Sequence, residues 1–160
     1  MYTIYCDGST RIKNKKGAEN TGGFGYVVYD ESGYVVDAYS EQVQNTTNNR
    51  MELMALYKII ENYGSASIFG ASVVYTDSAY AMNCINEWAS TWEKNNWINS
   101  KGQPVENQDI IKPMYSLYWN DHFIVIKKCN GHSGIEGNEL ADKLATGAIT
   151  PEEVLEKYGR

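Results

Sequence analysis

The chain has 160 residues, 42% of them hydrophobic, and a formal net charge of −6. This is enough for one domain with its own core and too little for two ordinary domains. The negative charge argues against a protein that holds nucleic acid by bulk electrostatic attraction. No apolar run approaches the roughly 20 residues that cross a bilayer, and Met1 leads directly into a predicted strand. We therefore expect a cytoplasmic protein with no membrane association.

The cysteines exclude two further classes. Cys6, Cys84 and Cys129 are an odd number and show no C-x-x-C spacing. Neither a disulfide framework nor a zinc knot is indicated. We expect buried free thiols.

The first forty residues predict an antiparallel meander of three strands. Alternating apolar residues place the strands at about 2–6, 26–29 and 34–39, with a polar loop after the first and a turn at 30–33 after the second. Short turns of this kind join neighbouring antiparallel strands.

Helices then alternate with strands. Polar residues at 46–49 cap a helix that runs to about Tyr63, and a fourth strand follows at 73–76. Because a helix separates them, strands one and four should be parallel through a right-handed crossover. The remaining predicted elements are a helical segment from Ser78 to about Trp97, a helix at 108–119, a strand at 123–127, a helix at 135–146 and a short helix from Pro151. The order indicates an α/β fold.

Two strands of this fold lead into an aspartate in the same way. Strand one precedes Asp7 and strand four precedes Asp77. Because the carboxyl ends of parallel strands share one edge of a sheet, the two carboxylates should lie close together. Glu52 and Asp142, both in helical contexts, can join them. Such a group needs divalent cations to offset its repulsion, and carboxylate oxygens suit Mg²⁺ or Mn²⁺.

Each acid also has a simpler explanation. Asp7 and Asp77 could be turn or helix-capping residues, Glu52 a surface charge, and Asp142 half of an ion pair with a nearby lysine. Taken singly, these explanations are favoured. Taken together, with two similar strand ends, they are hard to sustain.

Four motifs of the chain resemble those of type 1 ribonuclease H, in that family's order. They are Asp7-Gly8-Ser9, Thr46-Thr47-Asn48-Asn49-Arg50-Met51-Glu52-Leu53-Met54-Ala55, Tyr75-Thr76-Asp77-Ser78 and the run from Gly131-His132-Ser133-Gly134 to Asp142. The resemblance implies a ribonuclease H-like α/β fold. In that fold a five-stranded mixed sheet has strands 1–3 antiparallel, strands 1 and 4 parallel, and helices on both faces. It further implies a catalytic domain over 1–148, a short helical tail over 149–160 and no separate hybrid-binding domain.

The resemblance also implies an activity. It is hydrolysis of the RNA strand of RNA/DNA hybrids by two Mg²⁺ ions, with Mn²⁺ as a substitute, leaving 5′-phosphate and 3′-hydroxyl ends. Asp7, Glu52, Asp77 and Asp142 match the metal-binding carboxylates. His132 matches a loop histidine that assists proton transfer or product release, and it lies between glycine and serine residues.

Substrate-binding residues are carried over in the same way. Asn49, with Asn48 beside it, matches a residue that detects the 2′-hydroxyl of RNA, and an amide can both donate and accept there. The positions that resemble the DNA-strand groove and its phosphate pocket are Thr47, Tyr80, Trp88, Trp92, Ser100 and Asn107. Trp88 and Trp92 should share one helix face. The alternative, that these are core aromatics, is stronger for Trp97.

The chain departs from the family in its basic residues. Segment 88–107 has two lysines against two glutamates, where the family often has a basic protrusion. Asn45 stands where an arginine of the phosphate pocket often sits. We predict weaker, salt-sensitive binding of the hybrid, and we hypothesise that Lys13, Lys15 and Lys16 compensate by reaching the nucleic-acid backbone. The simpler explanation of these lysines is a solvated loop.

Two rival functions remain. One is a nuclease of the same fold that acts on another nucleic acid, which the hybrid-binding residues disfavour. The other is a non-catalytic hybrid-binding or scaffold protein, which the complete acidic set disfavours. We expect a monomer in either case.

Overall fold

The computed structural model describes residues 1–11, 20–64, 71–120, 123–129 and 134–160. The strands are β1 (Tyr2–Arg11), β2 (Thr21–Tyr29), β3 (Val35–Gln44), β4 (Ser72–Thr76) and β5 (Ile124–Lys128). The helices are α1 (Asn48–Tyr63), α2 (Ala79–Asn83), a π-helical turn (Cys84–Trp88), α3 (Ala89–Lys94), α4 (Gln108–Asn120), α5 (Glu136–Thr146) and α6 (Pro151–Tyr158).

The five strands form one mixed sheet in the order β3-β2-β1-β4-β5. β1 pairs antiparallel with β2, and β2 antiparallel with β3. β4 lies parallel to β1 and to β5. The predicted α/β fold, with a meander followed by a parallel crossover, is confirmed.

The meander strands are longer than predicted. β1 continues through Asp7 to Arg11, so the expectation that this strand stops near residue 6 is wrong. The glycines at 22, 23 and 25 precede the predicted second strand, yet they lie within β2 and pair with the second half of β1. The small size of Gly23 and Gly25 makes room for α5. A Cβ at Gly25 would lie 2.7 Å from the Cβ of Leu144.

Helices cover both faces of the sheet. On one face, α1 buries Leu56, Ile59 and neighbouring residues against the strand residues Ile4 and Val74. On the other face, Leu144 of α5 and Val154 of α6 pack in a second core. α6 begins with a capping box formed by Thr150 and Glu153. The three cysteines are all described and buried, and none of them forms a disulfide. Among the described residues, no helix is both long and apolar enough to span a membrane.

The helical segment after β4 ends earlier than predicted. α3 stops at Lys94, because Asn96 and Trp97 both adopt positive φ angles, 57° and 61°. This left-handed turn directs the chain away from the helix axis. The Trp97 ring is 5% exposed, so it is a core aromatic.

Candidate metal and nucleic-acid site

Three of the predicted acids meet at one edge of the sheet. Asp7, Glu52 and Asp77 each offer a carboxylate oxygen, and these oxygens all lie within 4.8 Å of one another. The three residues come from β1, from α1 and from the residue that follows β4. Their convergence is a property of the tertiary fold, since 70 residues separate the first from the last.

The parallel pairing of β1 and β4 aligns the two aspartates. Tyr5 pairs with Tyr75, so each aspartate lies two residues beyond a matched pair. β1 then continues beside β2, while β4 ends and the chain turns into α2. The Thr76 hydroxyl accepts the backbone N–H of Ser78 at 3.1 Å, and Ser78 caps α2. The turn thus fixes the backbone on both sides of Asp77.

Gly8 is a site residue that the sequence reasoning missed. A Cβ at this position would collide with the backbone of Met51 and Glu52. Only glycine therefore lets β1 approach α1 closely enough for Asp7 and Glu52 to meet. The available signal was a glycine directly after the aspartate that ends the predicted strand, and in the structure this glycine lies inside β1, where glycine often marks close approach of another backbone.

The carboxylates are buried among like charges. Asp7 is 7% exposed and Glu52 4%. Burial raises the pKa of Asp7, a hydrogen bond with Glu52 opposes this rise, and the charges of Asp77 and Asp142 add to it. Burial, followed by the charge of Asp7, raises the pKa of Glu52 well above its ordinary range. Burial therefore favours the protonated forms of Asp7 and Glu52 unless a cation compensates them.

Among the described residues, hydrogen bonds and ion pairs supply little of that compensation. Asp7 accepts the backbone N–H of Gly8 at 2.9 Å, but the buried Oε2 of Glu52 has no hydrogen-bond partner among the described residues. Within the same described ranges, no salt bridge involves any of the four acids. A buried carboxylate oxygen without a donor, beside two further carboxylates, fits a hard divalent cation.

Asp142 lies at the border of this group. It lines a cavity of about 290 Å³ together with Asp7, Asp77 and Asn138. Its helix, α5, is fixed at its carboxyl end by side-chain donors from the sheet. Ser40 donates to the Leu144 carbonyl at 2.6 Å, Gln42 to Ala145 at 3.0 Å and Arg11 to Thr146 at 2.5 Å. The structure thus places Asp7, Asp77 and Asp142 around one cavity, and Glu52 offers a carboxylate oxygen within 4.8 Å of oxygens of Asp7 and Asp77.

The predicted RNA-binding amides lie in the first turn of the helix that carries Glu52. Thr47 caps α1 by accepting the Arg50 backbone N–H, and Asn48 and Asn49 are exposed in the first turn. Glu52 follows one turn later on the same helix. The amides are therefore accessible and close in sequence to a buried metal-binding candidate.

The predicted DNA-strand residues form a row beside α1. Ring centroids are 6.1 Å apart for Tyr80 and Trp88, and 5.8 Å apart for Trp88 and Trp92. Asn107 donates a hydrogen bond to the Tyr80 hydroxyl at 3.0 Å. Ser100 is exposed and shares an open depression with Trp92. The two tryptophans share one face, as predicted, and Trp88 is 37% exposed.

Four predicted site residues lie outside the described residues. They are Lys13, Lys15, Lys16 and His132. Their roles stay predictions.

A mixed five-stranded sheet with carboxylates at the ends of its central strands defines the class of ribonuclease H-like enzymes. The chain matches the family model "RNase H" over residues 1–150. It is 37% identical to the ribonuclease H of Francisella tularensis subsp. novicida over 145 residues, 91% of this chain and 88% of that one. The ribonuclease H of Francisella philomiragia is 36% identical over 145 residues, with the same coverage.

Solved structures of RNase H proteins also resemble this fold. The PFV RNase H domain superposes with a TM-score of 0.80 at 27% identity, over 91% of this chain and 92% of that one. LC9-RNase H1, a type 1 enzyme with the type 2 active-site motif, gives 0.75 at 28% identity, over 92% and 71%. The chain belongs to the ribonuclease H family, and type 1 is consistent with these similarities. It is an enzyme, a hydrolase that acts on RNA.

Proposed function

We propose that this enzyme is an endoribonuclease that hydrolyses the RNA strand of RNA/DNA hybrids and leaves 5′-phosphate and 3′-hydroxyl ends. The observation that carries the proposal is the group of three carboxylate oxygens, from Asp7, Glu52 and Asp77, within 4.8 Å of one another, with Asp142 in the cavity that Asp7 and Asp77 line. The relatives named ribonuclease H support this substrate class.

Asp7, Glu52, Asp77 and Asp142 would hold two Mg²⁺ ions, with Mn²⁺ as a substitute. Such ions, when bound, lower the pKa of a water molecule and stabilise charge on the leaving oxygen. The protein contributes a fixed set of oxygen ligands. Asp7 and Glu52 are held by a close backbone contact at Gly8, and Asp142 is held by the anchored end of α5.

Strand discrimination would use two neighbouring surfaces. The exposed amides of Asn48 and Asn49 can donate to and accept from a 2′-hydroxyl, which only the RNA strand carries. The ring row of Tyr80, Trp88 and Trp92 offers an apolar surface that suits deoxyribose. One strand would thus be placed over the carboxylates and the other over the rings.

A single assay tests this function. A duplex with a labelled RNA strand and a DNA complement is incubated with Mg²⁺, beside all-DNA and all-RNA duplexes of the same sequence. We expect cleavage of the hybrid alone and products with 5′-phosphate ends. Equal cleavage of another duplex would favour a same-fold nuclease of different specificity. Hybrid binding without Mg²⁺-dependent cleavage would favour a non-catalytic protein.

The charge of segment 88–107 bears on affinity. Its two lysines, Lys94 and Lys101, are exposed beside the exposed Glu93 and Glu106, so the local charges balance. We expect a shallower dependence of hybrid affinity on salt than in relatives with a basic protrusion, because fewer phosphates are contacted. A slope as steep as theirs would contradict this.

The loop lysines are tested separately. We propose that replacing Lys13, Lys15 and Lys16 together by alanine raises the Michaelis constant for the hybrid, since each lysine can contact a phosphate. An unchanged Michaelis constant would show that they make no such contact.

A further inference from the structure

Arg50 and Asp109 form the most strongly connected ion pair among the described residues. The Arg50 guanidinium donates to both carboxylate oxygens of Asp109, at 3.0 and 2.7 Å. This bidentate geometry is directional and stronger than a single contact. It joins the first turn of α1 to the first turn of α4, and it lowers the pKa of Asp109 through a hydrogen bond from Arg50.

The same guanidinium holds Asn107. Arg50 donates to the Asn107 Oδ1 at 3.2 Å, and the Asn107 amide donates to the Tyr80 hydroxyl at 3.0 Å. An asparagine just before a helix ordinarily caps it through its side chain. Here the backbone carbonyl of Asn107 receives the N–H groups of Ile110 and Ile111, and the side chain is directed sideways between Arg50 and Tyr80.

The backbone at Asn107 is also unusual. Its φ angle is 62°, a conformation that costs energy for any residue with a side chain and that asparagine tolerates best. The contacts from Arg50 and Tyr80 act on the side chain of this same residue. They therefore fix both the amide and the conformation that presents it.

Within the part of the chain that the structure describes, several hydrogen-bond donors at this point have no partner. The Asn107 amide has two N–H groups, of which one is used by Tyr80. The Arg50 side chain has five N–H donors, of which three are used by Asp109 and Asn107. The Thr47 hydroxyl accepts the Arg50 backbone N–H at 3.2 Å, which leaves its own hydrogen free to donate. Spare donors beside a guanidinium suit a phosphate group.

We propose that Asp109 and Arg50 are positioning residues that hold the Asn107 amide against one phosphate of the DNA strand. Arg50 adds the positive charge that the neutral Asn45 does not supply. The inference rests on the proposed hydrolysis of hybrids. It assigns the ion pair a part in substrate affinity, beyond joining two helices.

The test uses hybrids in which one DNA-strand phosphate at a time is a neutral methylphosphonate. For the wild-type enzyme, we expect one position at which the substitution raises the Michaelis constant about tenfold. Asp109→Asn should raise the Michaelis constant for the unmodified hybrid about three- to tenfold, leave kcat within about twofold, and lose the sensitivity at that position. Asp109→Glu should restore the wild-type Michaelis constant and the sensitivity to the methylphosphonate at that position.

Two further variants separate positioning from stability. Glu61→Gln removes the partner of Lys58 in another α1 ion pair, at 3.7 Å, and should keep the wild-type pattern. Asp109→Asn combined with Asn107→Ala should be no worse than Asn107→Ala alone, since both act on one contact.

The proposal is overturned if Asp109→Asn keeps the full methylphosphonate sensitivity, or if it lowers the melting temperature and kcat without changing that pattern. A wild-type enzyme with no sensitive position also overturns it. Failure of the proposed function has a different signature, because the wild type would then leave the unmodified hybrid uncleaved.

Discussion

Two sets of acidic side chains in this molecule differ in the hydrogen-bond donors around them. Asp37 on β3 accepts hydrogen bonds from two phenols, Tyr63 at 2.5 Å and Tyr26 at 3.4 Å, and Asn62 in turn donates to Tyr26 at 3.1 Å. Among the described residues, the carboxylates at the sheet edge accept no hydrogen bond from a phenol. There the buried Oε2 of Glu52 has no partner among the described residues, and the Glu52 carboxylate has an oxygen within 4.8 Å of oxygens of Asp7 and Asp77.

The difference indicates what each region is for. Around Asp37, donors placed by the sheet and α1 satisfy the acid, so the network contributes to stability. At the sheet edge, burial and repulsion oppose folding in the metal-free protein, and a divalent cation offsets that cost. Substitutions in the two regions should therefore separate activity from stability.

The largest expected effect is on catalysis. Asp77→Asn replaces a charged ligand by a neutral amide of the same size, and we expect kcat to fall more than about 100-fold. Because it also relieves repulsion, metal-free thermal stability should stay equal or rise. Hybrid cleavage and thermal unfolding in EDTA measure the two quantities. Activity within about tenfold of wild type would remove the role assigned to Asp77.

Gly8→Ala should lower both the stability and the activity of the enzyme. The added Cβ would meet the backbone of Met51 and Glu52, which cannot move as a flexible side chain can. We expect a loss of about 1–3 kcal/mol in the free energy of unfolding, together with reduced activity. Denaturant unfolding measures the first, with Ser9→Ala on the same strand as the control. A stable, fully active Gly8→Ala enzyme would show that α1 and β1 can separate without consequence.

The pH dependence of metal-free stability should reveal the acidic group. Burial raises the pKa of Asp7 from 3.8 to about 7, so between these values the folded protein binds more protons than the unfolded chain. The free energy of unfolding should therefore fall as pH rises through this window. Mg²⁺ should reduce the fall, because it binds the deprotonated acids. A profile that rises over this window in EDTA, and that Mg²⁺ leaves unchanged, would contradict the arrangement.

The smallest expected effect is at Asp37. Asp37→Asn retains an acceptor oxygen for Tyr63 but loses the charge-assisted hydrogen bonds, so stability should fall by about 1–2 kcal/mol. Activity should stay within about twofold of wild type, because Asp37 is not among the acids of the cavity. If this variant lost activity as Asp77→Asn does, the two regions would not be independent.

Local patterns predicted much of this molecule. Apolar periodicity located α1 and α5, and capping residues also marked the start of α1. The crossover rule set β4 parallel to β1, which brought Asp7 and Asp77 together. These features depend on neighbours in sequence or on a general rule of chain handedness.

What escaped prediction depends on contacts between distant segments. Glycine residues ordinarily interrupt a strand. Here glycines continue β2, because α5 occupies the space above them and leaves no room for a side chain. Gly8 matters only once α1 lies across β1. The Arg50–Asp109 pair joins residues 59 positions apart, which a single sequence does not specify.

The central claim is that the sheet-edge carboxylates form a cation site. Calorimetric titration of Mn²⁺ into metal-free protein, without nucleic acid, tests it most directly, with Asp77→Asn and Asp37→Asn as paired variants. We predict saturable binding by the wild type and by Asp37→Asn, and none by Asp77→Asn over the same concentrations. Equal binding by all three proteins would contradict the claim.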